Sequence, residues 1–172
     1  SILFCLVCLP ILIVLALVDQ TLINGEPRWL KPIKFFASVA IYNLTLEWIL
    51  RVFGTPKTVS KFNKIRTIVG IGGFLETTLI TMQAARGVQS HFNTATAFDT
   101  IVFSSMGIII TIVVLAAFSS VFFVWRNRRL APPIITEAIV YGLIIMTIAS
   151  FQGFSMTSPT AEQLDAARQG HG

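Results

Sequence analysis

Five apolar stretches, each close to the length of a membrane-spanning helix, are the feature that most constrains this chain. A helix of about 20 residues crosses the hydrocarbon core of a bilayer. Hydrophobic residues make up 54% of the 172 residues and charged residues only 12%, whereas soluble domains contain about 25% charged residues. A soluble fold of this size cannot bury so much apolar surface. The sequence therefore predicts an all-α, polytopic bundle of transmembrane helices.

The bundle is predicted to occupy residues 1–157. Its spans are residues 2–18, 33–53, 67–85, 100–125 and 134–156. Residues 158–172 form a tail outside it. The chain begins without Met in an already apolar segment and ends in Gly170-His171-Gly172, so we expect it to be part of a longer protein.

Basic residues predict how the bundle is oriented. They cluster after the second and the fourth span, in the predicted loops 54–66 and 126–131. Loops separated by two spans lie on the same side of a membrane, and the positive-inside rule places both of these in the cytoplasm. The tail 158–172 is then non-cytoplasmic. The net charge of +5 fits this topology better than nucleic-acid binding, for which the chain has no motif.

Glu76 lies in the middle of the third span, and a carboxylate at that depth needs a partner or a purpose. At 3.6 residues per turn it shares a helix face with Gly72, Gly73 and Gln83, and small residues allow close helix contact. Glu76 should therefore face protein rather than lipid. Two interpretations stay open: a protonated carboxyl that holds the bundle in register, or a site for a proton, a cation or a polar ligand.

Polar residues also line one side of the second span. Asn43, Glu47 and Arg51 are spaced four residues apart, and Glu47 and Arg51 have the orientation of a stabilising pair. Asn43 lies nearer the middle of the span, at a depth where it could pair with Glu76.

His91 lies in the loop predicted after the third span, with Arg86 before it and Asn93 and Asp99 after it. A local hydrogen bond is the simplest role for such a histidine; the alternatives are a metal or haem ligand, or a group that titrates. His91 has no second histidine at helical spacing, so it is only a weak candidate for a metal ligand. Haem or a pigment stays open as a cofactor. The sequence contains neither a catalytic triad nor an HExxH motif that would indicate an enzyme.

Residues at the ends of the spans have predicted structural roles. Trp29 and Trp125 fall where belt residues lie at a membrane interface. Either Thr96 or Asp99 is placed to cap the fourth helix. Asn24-Gly25 predicts a turn after the first span.

Several of these residues belong to a longer pattern. It consists of Trp29-Leu30-Lys31-Pro32-Ile33-Lys34-Phe35, Glu76, Gln83, Arg86-Gly87, Ser90-His91-Phe92-Asn93, Asp99 and Met106-Gly107. This pattern resembles a family of bacterial multi-pass membrane proteins that has no established activity. The resemblance implies a location in the bacterial inner membrane. It also implies a longer chain with further histidines and spans, so any metal or cofactor site would be incomplete in these residues.

Three functions stay open. The one we favour is an accessory or structural subunit of a larger membrane complex, of respiratory or photosynthetic type, because it requires no catalytic constellation; its partners would be the bilayer and other membrane subunits. The second is a proton- or ion-linked transporter, or a ligand-binding membrane protein, that uses Glu76. Against a transporter, we find no inverted repeat. The third is a membrane oxidoreductase or hydrolase with an outer-face site at His91.

Overall fold

Five helices follow one another along the chain. A computed structural model describes residues 2–23 and 25–155, with side chains through residue 149. The helices are α1 (Ile2–Val18), α2 (Leu30–Phe53), α3 (Val59–Ala85), α4 (Ala97–Arg126) and α5 (Pro133–Ser155). A two-residue antiparallel hairpin, β1 (Leu22–Ile23) and β2 (Glu26–Pro27), joins α1 to α2, and a 3₁₀ turn (Arg128–Leu130) precedes α5. The predicted all-α bundle is confirmed, with this hairpin as an addition.

Each helix packs on its neighbour in sequence: α1 on α2, α2 on α3, α3 on α4 and α4 on α5. Helices joined by such short connections run antiparallel, as in up-and-down bundles. The bundle therefore has two ends. We call the end with residues 19–29 and 86–96 the His91 end, and the end with residues 54–58 and 127–132 the basic end.

Three of the helices are long and apolar enough to cross a membrane, by length and composition: α2, α3 and α4. They have 24, 27 and 30 residues, which correspond to about 36–45 Å at 1.5 Å per residue. The helix α1, with 17 residues, and the segment Pro133–Ala149 of α5 are shorter apolar helices. Among the described residues, three of the five predicted spans are thus supported by the length and composition of their helices.

The predicted loop 54–66 is wrong beyond Thr58, because α3 begins at Val59. Its first two turns carry the exposed residues Lys61 and Lys64, while Phe62 between them is fully buried. Lysine is a good helix former, and its alkyl stem can cover apolar surface while the ammonium stays in water. A hydropathy pattern detects only the apolar part of such a helix, so it misses these turns.

The small-residue face predicted on α3 is a packing surface. A Cβ atom on Gly72 would lie 2.2 Å from Val113 Cγ2 of α4, and one on Gly73 would lie 2.9 Å from Val39 Cγ1 of α2. Only glycine lets both neighbouring helices approach this closely. The face is buried along its length: Val69, Gly72, Gly73, Glu76, Ile80 and Gln83.

The buried apolar side chains form one large cluster toward the basic end and smaller clusters toward the His91 end. The large cluster joins four helices: Leu46, Ile49 and Phe53 of α2, Phe62 and Val69 of α3, Ala116, Phe123 and Val124 of α4, and Ile139, Val140 and Leu143 of α5. Most of the predicted site residues lie at the opposite end.

The two tryptophans predicted as belt residues differ. Trp125 is 55% exposed, as expected of a belt residue, but Trp29 is 6% exposed and packs with Cys5, Phe36 and Ala40. Trp29 therefore belongs to the interior of the bundle. The predicted tail 158–172, with His171, lies outside the described residues.

Candidate functional site

Asp19 fixes the hairpin at the His91 end. Its carboxylate forms an ion pair with Arg28, accepts a 2.8 Å hydrogen bond from the indole N–H of Trp29 and accepts a 2.6 Å bond from the Thr21 hydroxyl. These bonds, that from Thr21 most of all, hold the pKa of Asp19 well below its usual range. The carboxylate thus stays ionised and ties the loop to the start of α2.

The second loop, residues 86–96, begins with a glycine-capped helix end. The Val88 N–H donates to the Gln83 carbonyl and the Gly87 N–H to the Ala84 carbonyl, which is the Schellman pattern. Gly87 has a φ of +73°, a conformation that glycine adopts without strain. Phe92, directly after His91, has a φ of +59°, which is uncommon for a bulky residue.

Gln83, Arg86 and Asp99 form a closed hydrogen-bond network between α3 and α4. The Arg86 guanidinium donates to Asp99 Oδ1 over 2.6 Å and to Gln83 Oε1 over 2.5 Å, and the Gln83 amide donates to Asp99 Oδ1 over 3.0 Å. The Thr96 hydroxyl donates to Asp99 Oδ2 over 2.6 Å, and as the cap of α4 it accepts from the Asp99 backbone N–H.

This network brings together three of the predicted site residues and confirms that Thr96 is the cap. Gln83 and Asp99 are 0% and 2% exposed, and Arg86 also lies over the Phe98 ring, 4.8 Å from its centroid. Because donors and acceptors match within the network, it can pin α3 to α4 without a ligand.

Lys31 and His91 form a second, separate contact. The Lys31 Nζ atom lies 3.0 Å from His91 Nδ1, and the Ser90 Oγ atom lies 3.1 Å from the same nitrogen. An ammonium group can only donate, so Nδ1 accepts and the imidazole proton is on Nε2. The ring of His91 lies near those of Phe35, Phe92 and Phe103, with centroids 6.1, 6.4 and 6.5 Å away.

His91 is neutral at physiological pH. Burial, and secondarily the charge of Lys31, lower the pKa of His91 from 6.5 to about 4. The imidazole is therefore a neutral acceptor that holds the Lys31 ammonium in place, and it contributes no charge to the site.

A cavity of about 310 Å³ lies between the hairpin and the loop 86–96. Among its lining residues are Glu26, Arg28, Lys31, Ile80, Ser90 and His91. Two of its three charged residues have partners elsewhere: Arg28 pairs with Asp19, and the exposed Glu26 lies 4.0 Å from Lys34. In the described part of the chain no carboxylate contacts Lys31 directly.

Glu76 lies behind this cavity, one helical turn from Ile80. It is 3% exposed, and its Oε2 atom has no hydrogen-bond partner among the described residues. At 1.5 Å per residue it lies about 14 Å along α3 from the end of the helix at Ala85. Lys31 is the charged group whose field reaches Glu76. Lys31 and Glu76 form no salt bridge, so the charge of Lys31 acts on the Glu76 side chain from a distance.

Two predicted residues, Asn43 and Glu47, lie further along α2 from the His91 end. Glu47 forms the expected pair with Arg51, 3.5 Å apart, and a second ion pair with Arg66 of α3. The Asn43 amide donates to the Val39 carbonyl over 2.8 Å. Asn43 and Arg66 also line a different cavity, of about 870 Å³. The pairing of Asn43 with Glu76 stays a prediction.

Asn93 organises the loop around His91. Its amide donates to the Gln89 carbonyl over 3.4 Å, and its side-chain oxygen accepts from the Ala95 N–H over 3.1 Å. Such bonds from an asparagine to nearby backbone are typical of turns, so Asn93 shapes the segment that carries His91.

The described residues contain no group of three or more His, Cys, Asp or Glu side chains placed to hold a metal ion. The charged groups of the His91 end are two lysines, two arginines and three carboxylates: Lys31, Lys34, Arg28, Arg86, Asp19, Glu26 and Asp99.

Lys31 was not among the predicted site residues, although its position in the sequence carries one signal. Lys31 lies in the first turn of α2, where the positive end of the helix dipole disfavours a cation. A lysine at that position needs a compensating acceptor or counter-ion, here His91 and Glu76. Asp19 and Arg28 were missed because their pairing depends on the conformation of the hairpin.

Comparisons of the chain with protein-family models, with curated proteins and with solved structures gave no match. The family resemblance therefore stays a prediction.

Proposed function

We propose that the protein is a ligand-binding integral membrane protein, with its site in the cavity at the His91 end and with Lys31, His91 and Glu76 as the groups that define it. One observation carries this proposal: the cavity adjoins a lysine held by a neutral histidine, and a buried carboxylate with an unpartnered oxygen lies behind it. Leaving a buried polar atom unpaired costs about 1–3 kcal/mol. Ionisable residues inside membrane helices usually mark functional sites.

The volume of the cavity limits the size of the ligand. About 310 Å³ is at the lower end of the roughly 300–1,000 Å³ of small-molecule sites. The ligand is therefore a molecule of a few to about a dozen heavy atoms, and a haem would not fit there.

The favoured hypothesis from the sequence, a subunit of a larger membrane complex, is the second candidate. It is favoured by the Gln83–Arg86–Asp99 network, which needs no ligand. It is also compatible with the exposed faces of α2 and α4, since only 28% of the most apolar 18-residue stretch of each helix is buried within the chain. Lipid covers such faces equally well, so they do not decide between the two functions.

The orientation and the membrane are part of the proposal. Three apolar helices support a membrane location. The basic end would face the cytoplasm of a bacterial cell, since it carries Arg126, Arg128 and Arg129 and the first turns of α3 carry Lys61 and Lys64. The cavity would then open on the non-cytoplasmic side of the inner membrane.

Native mass spectrometry of the purified full chain tests the proposal. Wild type should retain a bound molecule lighter than a membrane lipid, and Lys31→Met should lose it. Lys34→Met is the matched control, because Lys34 lies one turn further along α2 with its side chain 62% exposed. Equal small-molecule content in wild type and both variants would refute the proposed site.

A further inference from the structure

Although Glu26 lines the same cavity, the Lys31 ammonium has no salt-bridge partner among the described residues. Its nearest polar partner is the neutral His91, and the other charges of the His91 end are paired: Arg28 with Asp19, and Arg86 with Asp99. An uncompensated charge in a low-dielectric site is costly. Something must therefore balance Lys31 when the protein is at rest.

Glu76 is the group that can do so from the interior side. Lys31 interacts electrostatically with Glu76 and, more weakly, with Glu26. Glu26 is exposed and lies 4.0 Å from Lys34, so the buried Glu76 is the main counter-charge of Lys31. The charged and titratable groups around the cavity come from four parts of the chain. The helix α2 contributes Lys31 and the exposed Lys34, and the hairpin contributes Glu26 and Arg28. The loop 86–96 contributes His91 and Arg86, and Arg86 is paired with Asp99 of α4. An ionised Glu76 balances Lys31, and a protonated Glu76 leaves Lys31 with a free positive charge.

We propose that the cavity binds a small monoanion that replaces Glu76 as the counter-ion of Lys31, and that binding is accompanied by uptake of one proton by Glu76. This inference rests on the proposed function and names its ligand class. The charges balance: the anion brings one negative charge, and the proton removes one from the carboxylate. The proton comes from water and forms an O–H bond at Glu76, so the net charge of the site is the same with and without ligand.

The geometry gives each residue a distinct part. Lys31 contacts the anion from the cavity wall, and His91 positions the ammonium through Nδ1. Glu76, one turn behind Ile80, does not touch the ligand and acts through its charge alone. The unpartnered Oε2 atom of Glu76 is the atom that can accept the proton.

This arrangement predicts a linkage between pH and affinity. Where Glu76 is ionised in the free protein, each rise of one pH unit should weaken anion binding about tenfold, because one proton is taken up for each anion bound. A glutamine at position 76 mimics the protonated carboxyl, so binding by Glu76→Gln should be as tight as that of the protonated wild type and independent of pH.

Isothermal titration calorimetry with sodium acetate provides the test. Acetate is fully ionised near neutral pH, so any proton uptake belongs to the protein. The full chain is placed in phosphatidylcholine nanodiscs, which contain no anionic lipid. Titrations at one pH in two buffers with different ionisation enthalpies count the protons taken up for each acetate bound. Wild type should take up close to one, and Glu76→Gln should bind acetate with none.

The lysine variants complete the design. Lys31→Met should weaken acetate binding at least tenfold, while Lys34→Met should bind like wild type. Proton uptake that persists in Glu76→Gln, or unchanged acetate binding by Lys31→Met, overturns the inference. So does the absence of acetate binding to wild type. If native mass spectrometry still shows a small molecule that requires Lys31, the proposed site stands and only the anion and its proton coupling fail.

Discussion

Replacing Gly72 by alanine tests the helix contact that places Glu76 in the interior. The added Cβ atom would lie 2.2 Å from Val113 Cγ2 and 3.6 Å from Ile109 Cγ2. Favourable contacts between carbon atoms begin at about 3.5 Å, so the first distance is about 1.3 Å too short. Val113 is β-branched and has few side-chain conformations open to it in a helix, so α3 and α4 must move apart.

The expected loss of stability follows from two opposing contributions. Alanine is about 0.8–1.0 kcal/mol more favourable than glycine inside a helix. Overpacking a core by a methyl group costs about 1–3 kcal/mol, occasionally more. Because the overlap is large and the neighbour stiff, we expect Gly72→Ala to destabilise the protein by about 1–2 kcal/mol net. For a chain of this size that corresponds to a Tm lower by about 2–8 °C.

The chain supplies its own control. Gly107 in α4 and Gly142 in α5 are helical glycines for which an added Cβ atom would meet nothing within 4 Å. Gly107→Ala and Gly142→Ala should therefore keep the propensity gain and leave the Tm unchanged or slightly higher. Thermal unfolding of the detergent-solubilised variants, followed by tryptophan fluorescence, measures all of them under the same conditions.

A double variant separates overlap from any other effect of the substitution. Val113→Ala removes the atom that Gly72→Ala would meet, so the pair should be clearly more stable than the sum of the two single effects predicts. Gly72→Ala with the stability of Gly107→Ala, or a double variant that is simply additive, would refute the close packing of α3 against α4 at this position.

Three further predictions concern the loops and ion pairs. The pKa of His91 is lowered to about 4 in the folded protein against 6.5 ordinarily, so the unfolded state binds more protons between these values. The free energy of unfolding should therefore fall as the pH is lowered through this range, and His91→Phe should reduce that slope in denaturant titrations at several pH values. Asp19→Asn should speed amide hydrogen exchange in the hairpin 22–27 and leave the core of the bundle protected, because Asp19 holds only the loop; equal exchange would contradict its role. Glu47→Gln should change the free energy of unfolding by less than about 1 kcal/mol, since its partners Arg51 and Arg66 have side chains 76% and 34% exposed; a larger loss would show a buried structural pair.

The helices could be predicted from the sequence because apolar length alone selects them. The predicted ends of four spans agree with α1, α2, α4 and α5 to within about three residues, the usual uncertainty of such boundaries. The start of α3 could not be found in this way. Its first turns are charged on the outside, and their helical conformation is fixed by the burial of Phe62 in a cluster shared with α2, α4 and α5.

The parts of the candidate site that lie on one helix could be predicted from the sequence. The contacts that depend on the conformation of the loops could not. Gly72 and Gly73, adjacent to Glu76 on the helix face, were sufficient to predict that this carboxylate faces protein. The pairing of Arg86 with Asp99 joins residues 13 apart across the turn between α3 and α4. It depends on the positive φ angles at Gly87 and Phe92, which the sequence does not specify. The contact between Lys31 and His91 spans 60 residues and depends on both loops.

The His91 end contains two groups of polar residues, and a contribution to stability explains only one of them. The Gln83–Arg86–Asp99 network is closed, and each of its bonds joins α3 to α4 or orients a partner that does. Lys31 and Glu76 are charged residues in an apolar bundle that do not contact each other and leave an oxygen unpaired. Even a well-formed buried ion pair is often no more stabilising than apolar residues of similar volume, and this incomplete one is less favourable still. Stability explains the first grouping and not the second. The proposed exchange accounts for the second grouping, because an anion can replace Glu76 as the counter-ion of Lys31 while a proton neutralises Glu76.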